Sequence, residues 1–132
     1  MPSRRYFAKT LLTEMYERLR VKVGEAFASS CEFLALTTDE WSADNAPSVA
    51  LLSLTAHWID QKFNRCCAML HAQNLEAAHT GEYLAQVTTD MLAGWNLRKD
   101  RVHYVLRDNA AAMVKAMAVT TFHCVLNLIR TY

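Results

Sequence analysis

The sequence of 132 residues is poor in the residues that interrupt regular structure, with three glycines and two prolines. Little of it can be flexible linker, so we expect one compact domain or part of one. The formal net charge is only +1, which excludes a global basic field that would draw the chain to nucleic acid or anionic lipid. No apolar run reaches the roughly 18 residues of a membrane-spanning helix. No apolar segment follows the basic N-terminus, so we expect no secretory signal.

The four cysteines do not follow a metal-binding pattern. None lies in a C-x-x-C spacing, so we expect no zinc finger and no zinc in this chain. We expect reduced thiols of an intracellular protein, with the Cys66-Cys67 pair in the core. The sequence is 52% hydrophobic and 20% charged, which is typical of a globular core rather than of disorder.

Hydrophobic periodicity divides the chain into helices and strands. The first helix has apolar side chains on one face, which either pack against the domain or bind a partner. The second strand is almost continuously apolar, so we predict that both of its faces are buried. The predicted elements are, in chain order, a helix over 6–27, strands over 33–39, 49–58 and 63–70, a helix from the N-cap Thr80 to about Gly94, a strand over 102–107, a helix over 110–118, and a strand or helix over 121–128. Asn109 would cap the helix over 110–118. Met113, Val114 and Met117 of that helix would face the sheet.

This order of elements predicts an α/β fold with a mixed sheet covered by helices. Three antiparallel strands joined by hairpins come first, with a polar turn over residues 42–47, and strands that alternate with helices follow. A right-handed crossover would make the first and fourth strands parallel neighbours. Asp39 and Asp108, which follow those two strands, would then emerge side by side.

Two aspartates at adjacent strand ends suit Mg²⁺, a hard cation that prefers carboxylate oxygens and water. Taken singly, Asp39 is more typical of a strand-terminating turn, and Asp108 of a neighbour to a helix cap. Glu40 and Asp44 are close enough in sequence to join such a site, but we expect both to be solvated acids of a loop. His79 precedes a helix, and we expect a structural role for it.

Other residues with reactive or aromatic side chains favour structural roles in the sequence. We expect a core or strand-end role for His57 and Trp58, with a ligand role as the alternative. We expect Trp41 and Trp95 to be large anchors, with base stacking as the alternative. The charged connector over residues 98–101 predicts a solvated loop, with phosphate contact as the alternative. No glycine-rich loop follows any predicted strand, so we set a nucleotide-binding domain aside.

Four motifs in order resemble the hAT superfamily of DNA transposases, most nearly the zinc-finger BED-type proteins derived from them. The resemblance spans residues 3–117, and any one motif alone would be weak. The motifs are Thr37-Thr38-Asp39-x-Trp41-Ser42, Leu54-Thr55-Ala56-His57-Trp58-Ile59-Asp60, His79-Thr80-Gly81-Glu82, and Asp108-Asn109-Ala110-Ala111 with Met113-Val114-Lys115-Ala116.

The resemblance implies a ribonuclease-H-like core of a DDE-type, Mg²⁺-dependent DNA transposase. It makes Asp39 and Asp108 the first two catalytic acids and the metal ligands. It places the third acid, a glutamate, beyond an inserted helical domain and the BED zinc finger upstream, both outside this chain. The chain departs from the family at Ala112, where a second Asn is usual. It departs again at Thr121 and Cys124, which take the places of a Cys-x-x-His pair.

We therefore expect a fragment of a transposase-derived nuclear protein whose ancestral role was metal-dependent DNA strand cleavage and transfer. Residues 1–30 would be a helix leading into the core, and residues 31–132 a partial ribonuclease-H-like transposase domain, incomplete at its C-terminus. With two of three acids, the chain is expected to be inactive. The alternative is a domesticated DNA-binding or protein-interaction module in transcriptional regulation. The family implies DNA as a partner and a homodimer through a missing C-terminal region, with no membrane association.

Overall fold

The computed structural model describes residues 3–42, 50–76 and 78–126. The chain forms two compact units, Met1–Cys31 and Glu32–Tyr132. Apart from Ser42, the predicted turn over residues 42–47, and Asp44 with it, lies outside the described residues. No described helix is long and apolar enough to cross a membrane.

The first unit is helical from Arg4 to Ser30. It consists of α1 (Arg4–Tyr6), a π-helical stretch (Phe7–Leu11) and α2 (Leu12–Ser30). The helix begins where the Ser3 hydroxyl accepts a hydrogen bond from the Tyr6 amide at 3.2 Å, which satisfies a donor that the first turn leaves free. The helix predicted over residues 6–27 is therefore confirmed, and it extends further at both ends.

The second unit is a five-stranded mixed sheet with two helices. The strand order is β3-β2-β1-β4-β5. The first three strands pair antiparallel, and β1 with β4 and β4 with β5 pair parallel. The predicted mixed sheet is thus confirmed, and the segment left open as strand or helix contains a strand. The elements are β1 (Leu34–Ser42), β2 (Ala50–Ile59), β3 (Arg65–Asn74), α3 (Gly81–Ala93), a 3₁₀ turn (Lys99–Arg101), β4 (Val102–Arg107), α4 (Ala111–Thr120) and β5 (Cys124–Leu126).

The core lies on one face of the sheet, where side chains from the central strands meet the buried sides of α3 and α4. The prediction that β2 is buried on both faces is wrong. Its residues alternate between buried and half-buried, because an antiparallel sheet commonly covers one face only. The prediction that Val114 faces the sheet is also wrong, since it is 38% exposed beside the buried Met113. Large side chains with under 2% exposure are Leu34, Leu36, Leu52, Leu54, Leu84, Met91, Val105, Met113 and Met117.

The turn between β2 and β3 is organised by the side chain of Asp60. Its carboxylate accepts hydrogen bonds from the Lys62 and Asn64 amides, each at 2.8 Å, and from the Asn64 side chain at 3.0 Å. The bond from the Asn64 side chain is the main cause that lowers the pKa of Asp60 below its ordinary value. The Phe63 amide also donates to the Asp60 carbonyl at 2.9 Å, so the turn is closed by several local bonds.

Phe63 lies in this turn with a φ of 61° and a side chain that is 90% exposed. The left-handed conformation costs a non-glycine residue about 1–2 kcal/mol, and Phe63 gains no burial in return. Phe63→Gly should therefore raise the free energy of unfolding by about 0.5 kcal/mol, because the flexibility of glycine in the unfolded chain offsets part of the gain. Urea denaturation measures the change. Lys62→Gly in the same turn is the control. Lys62 does not have a positive φ, so this change should lower the free energy of unfolding. A loss of stability in Phe63→Gly would contradict the expectation.

Candidate metal centre

The pairing of β1 with β4 places Asp39 and Asp108 at neighbouring positions. The two strands run parallel, with Leu36 beside Val105 and Thr37 beside Leu106. Continuing that register by two residues sets Asp39 opposite Asp108. Adjacent strands are about 4.8 Å apart, and paired residues have their side chains on the same face. Asp39 therefore lies on the exposed face of β1, and Asp108 directly follows the end of the neighbouring strand β4.

Asp39 lies inside a strand rather than at its tip, which corrects the expectation from the sequence. β1 continues to Ser42 because it remains paired with β2 as far as Ala50, whereas β4 ends one residue before Asp108. The Asp39 carbonyl accepts a hydrogen bond from the Ser53 hydroxyl at 3.2 Å. Within the described residues, the exposed Asp39 carboxylate has no hydrogen-bond or ion-pair partner. It is therefore free to act as a ligand.

Asp108 is half-buried in the loop between β4 and α4. One of its carboxylate oxygens accepts a hydrogen bond from the Ala110 amide at 3.2 Å. The prediction that Asn109 caps α4 is wrong, because the cap position is Ala110, which makes no side-chain capping bond. Asp108 thus holds the chain entering the helix with one oxygen, and the second oxygen has no partner among the described residues.

A buried polar residue directly precedes each aspartate. Thr38 is 4% exposed and Arg107 is 9% exposed, and the same register sets them side by side on the core face of the sheet. The Thr38 hydroxyl donates to the Ser53 carbonyl at 2.9 Å, and Arg107 Nη1 donates to the Asp108 carbonyl at 2.7 Å. These bonds fix the backbone beside each acid. Sequence reasoning missed both residues, although a polar side chain at a core-facing position next to an acid is a usable signal.

The neighbouring acid Glu40 does not join this pair. Successive residues of a strand point to opposite faces, so Glu40 lies on the core face while Asp39 lies on the other. Glu40 Oε1 contacts His79 Nδ1, and its side chain is 20% exposed. The prediction of a solvated loop acid is therefore wrong. The contact ties the segment before α3 to β1, which is the structural role predicted for His79.

The structure agrees with some of the roles predicted for His57 and the tryptophans and contradicts others. Trp58 is 7% exposed, so the predicted core role is confirmed for it. His57 lies near the C-terminal end of β2 on its half-buried face, with Nε2 at 3.1 Å from Thr37 Oγ1, which fits the strand-end alternative. Trp41 is 50% exposed, and the anchor role predicted for it is wrong. Trp95 is half-buried, with its ring 6.5 Å from that of His71.

The cysteine pair and the charged connector both lie near the surface. Cys66 is half-buried and Cys67 is exposed, so their predicted place in the core is wrong, because β3 is an edge strand of the sheet. In the connector, Arg98 Nε donates to Asp100 at 3.0 Å. This pairing lowers the pKa of Asp100 below its ordinary value, as expected of charged groups in a solvated loop.

The donor set at the two aspartates fits a single Mg²⁺ ion. Mg²⁺ is bound in proteins by one or two carboxylates and keeps several waters, and Asp39 with Asp108 supplies two carboxylates that retain free oxygens. No group of three or more His, Cys, Asp or Glu side chains that could hold a metal occurs among the described residues. An ion at this position would polarise a phosphoryl oxygen or activate a bound water.

A mixed sheet of three antiparallel and two parallel strands, with an acid on β1 and another after β4, defines a ribonuclease-H-like domain. The family model described as the ZBED1 RNase-like domain matches residues 37–127. The match covers more than half of the chain and includes both aspartates. The chain belongs to this family, a transposase-derived domain of ZBED proteins, as the motifs predict. A comparison with curated proteins gives no match.

Proposed function

We propose that this transposase-derived domain binds one Mg²⁺ ion through Asp39 and Asp108, and that the chain on its own does not cleave DNA. The observation that carries the proposal is the parallel register of β1 and β4. It brings the strand that carries Asp39 beside the strand that Asp108 follows, and both carboxylates retain free oxygens. Thr38 and Arg107 support this placement, because their hydrogen bonds hold the backbone on which the two acids lie.

The number of carboxylates supports the absence of cleavage. Phosphodiester cleavage by two metals needs ions about 3.5–4 Å apart, with ligands that clamp both the attacking and the leaving oxygen. Two aspartates and water complete the coordination of one Mg²⁺. A second ion would be held by shared oxygens alone. With the carboxylates that the described residues supply, this chain would bind metal, and nucleic acid near that metal, without strand cleavage and transfer.

A contact module that acts on DNA or protein in transcriptional regulation, located in the nucleus, is the second candidate function. The supporting observation is the sheet face opposite the core, which is the face that carries Asp39. Trp41, Met69 and Tyr104 on that face are 50%, 67% and 46% exposed. Exposed aromatic and apolar side chains on one face of a protein are a common feature of interaction surfaces. DNA is the partner that a transposase-derived family favours.

Metal binding is tested by calorimetric titration of the whole chain with Mg²⁺, and by the spin-resonance signal of Mn²⁺ as its substitute. Asp39→Asn and Asp108→Asn should each weaken binding at least about tenfold, since loss of a group that merely supports a metal ligand already costs about 10–100-fold. Asp90→Asn is the matched control, because this exposed acid on α3 pairs with Gln86. Equal affinity in wild type and both site variants would refute the proposed site.

The absence of cleavage is tested separately on supercoiled plasmid DNA with Mg²⁺ or Mn²⁺. The expected result is no nicking above a buffer control. Robust nicking that Asp39→Asn abolishes would overturn the proposed inactivity while supporting the metal site. Gel-shift titration of the same DNA addresses the second candidate function, because binding without nicking is its expected outcome.

A further inference from the structure

A cavity of about 480 Å³ lies where β4 and β5 begin, at the opposite end of β4 from Asp108. Its volume is within the range of about 300–1,000 Å³ that is typical of small-molecule sites. The side chains that give it a polar lining include Lys99, His103, Thr121 and His123. A site in this cavity would be distinct from the proposed metal centre.

His103 reaches the cavity as an extra residue in β4. Val102 and Tyr104 pair with consecutive residues of β1, so His103 between them has no partner on that strand. Such a bulge is rare between parallel strands, and bulges commonly redirect a side chain beside a functional site. The centroid of the exposed His103 ring is 6.3 Å from that of Phe33, whose side chain is 57% exposed. The cavity thus has an exposed aromatic ring at its edge.

Thr121 contributes a hydroxyl to the cavity at a conformational cost. It follows α4 with a φ of 56°, in the left-handed region where a β-branched residue is an outlier. Its Oγ1 contacts Lys99 Nζ, which also lies 5.4 Å from the centroid of the Phe122 ring. An ammonium group has three donors, so Lys99 keeps donors for a ligand. Costly backbone conformations of this kind concentrate at functional sites.

The charges around the cavity favour an anion. Asp100 lines it, but the Asp100 carboxylate accepts a hydrogen bond from Arg98 Nε at 3.0 Å. Lys99 has no carboxylate partner in the part of the chain that the structure describes. In that same part, the ring nitrogens of His103 and His123 form no hydrogen bond. The His123 carbonyl accepts from the Val105 amide at 2.9 Å, which holds His123 beside β4.

We propose that this cavity binds the phosphate of a nucleoside 5′-monophosphate, with the base against Phe33. A terminal phosphate carries nearly two negative charges and three strongly accepting oxygens, which suits the Lys99 ammonium, the two imidazoles and the Thr121 hydroxyl. A carboxylate has only two oxygens for these donors. Bases stack on aromatic side chains without a sequence preference. Side chains here take the place of the glycine-rich loop of other nucleotide sites. The same phosphate group occurs on a free nucleotide and at the 5′ end of a DNA strand.

The test is calorimetric titration of the whole chain with adenosine 5′-monophosphate (AMP), in a chelator that keeps Mg²⁺ from the proposed metal centre. Adenosine and inorganic phosphate should each bind at least about tenfold more weakly than AMP, because each lacks one of the two contacts. Lys99→Gln and His123→Gln should each weaken AMP binding at least about tenfold, since charge-assisted hydrogen bonds are the stronger kind. Lys22→Gln is the matched control, because this exposed lysine on α2 does not line the cavity.

Two oligonucleotides of one sequence, with and without a 5′-phosphate, distinguish the sources of the phosphate. Tighter binding of the phosphorylated strand supports a strand end as ligand, and AMP binding with equal affinity for the two strands supports the free nucleotide. The proposal is overturned if AMP does not bind and the two strands bind equally. Adenosine that binds as tightly as AMP would overturn it too, as would equal losses in Lys22→Gln and Lys99→Gln. Inorganic phosphate that binds as tightly as AMP would overturn the contact of the base with Phe33. Asp39→Asn should bind AMP as wild type does, so failure of this site and failure of the metal centre are distinguished.

Discussion

Leu36→Ala should lower the free energy of unfolding of the second unit by about 3 kcal/mol, within the 2–5 kcal/mol typical of leucine truncation in a core. Leu36 is 0% exposed and lies at the middle of β1, between β2 and β4. Neighbours on both sides prevent the strand from moving to fill the cavity. Because domains are stable by roughly 5–15 kcal/mol, this one change should remove a large share of the stability.

Urea denaturation followed by far-ultraviolet circular dichroism measures the effect of Leu36→Ala. Met69→Ala on the edge strand β3 is the control, because Met69 is 67% exposed. Its truncation should change the free energy of unfolding by no more than about 0.5 kcal/mol. Similar losses in the two variants would mean that the core does not lie on the Leu36 face of the sheet.

Gly81→Ala should destabilise the second unit by about 1–3 kcal/mol, the usual cost of inserting a methyl group into a packed site. Gly81 begins α3, and a β-carbon at this position would lie 2.6 Å from the β-carbon of Lys115 on α4. Neither atom is the mobile end of a side chain, so the two helices would have to separate. Close packing of α3 on α4 therefore requires glycine here.

Two comparisons isolate the cause in Gly81→Ala. Gly24→Ala on α2 meets no atom within 4 Å and should stabilise by about 0.5–1 kcal/mol, because alanine is the better helix former. Lys115→Gly should rescue most of the loss in Gly81→Ala, and Lys115→Ala a smaller part, because it removes Cγ and Cδ at 2.6 and 2.9 Å but keeps Cβ at 2.6 Å. Lys115→Ala by itself only removes the ion pair with Glu82, 2.7 Å long, whose hydrogen bond lowers the pKa of Glu82. No rescue by Lys115→Gly would show that Lys115 is not the cause of the crowding.

The order of elements and the arrangement of the sheet could be predicted from the sequence because local patterns carry that information. The Thr80 side chain accepts from the Tyr83 amide at 3.2 Å, as the spacing of a helix start predicts. The parallel pairing of β1 with β4 followed from one topological rule, the right-handed crossover. Each of these inferences needs only neighbours along the chain or the handedness of a connection.

The errors concern contacts between residues distant in sequence. The pairing of Glu40 with His79 joins positions that no periodicity relates. The burial of Arg107 depends on what covers one end of β4, and the sequence around it shows only a charged residue after an apolar run. The half-exposed face of β2 was misjudged because an apolar run does not show which faces are covered.

The two kinds of pairing that meet at β1 have a consequence for the kinetics of folding. The β1–β2–β3 part is joined by short connections and can form early, because closing a short loop costs little entropy. Pairing of β4 beside β1 brings together residues that are distant in sequence, which is the slower kind of event. Asp39 belongs to the early part and Asp108 to the late part. An ion held by both would bind only once the last parallel pairing is made, and it would act mainly by slowing the escape of β4 from the sheet.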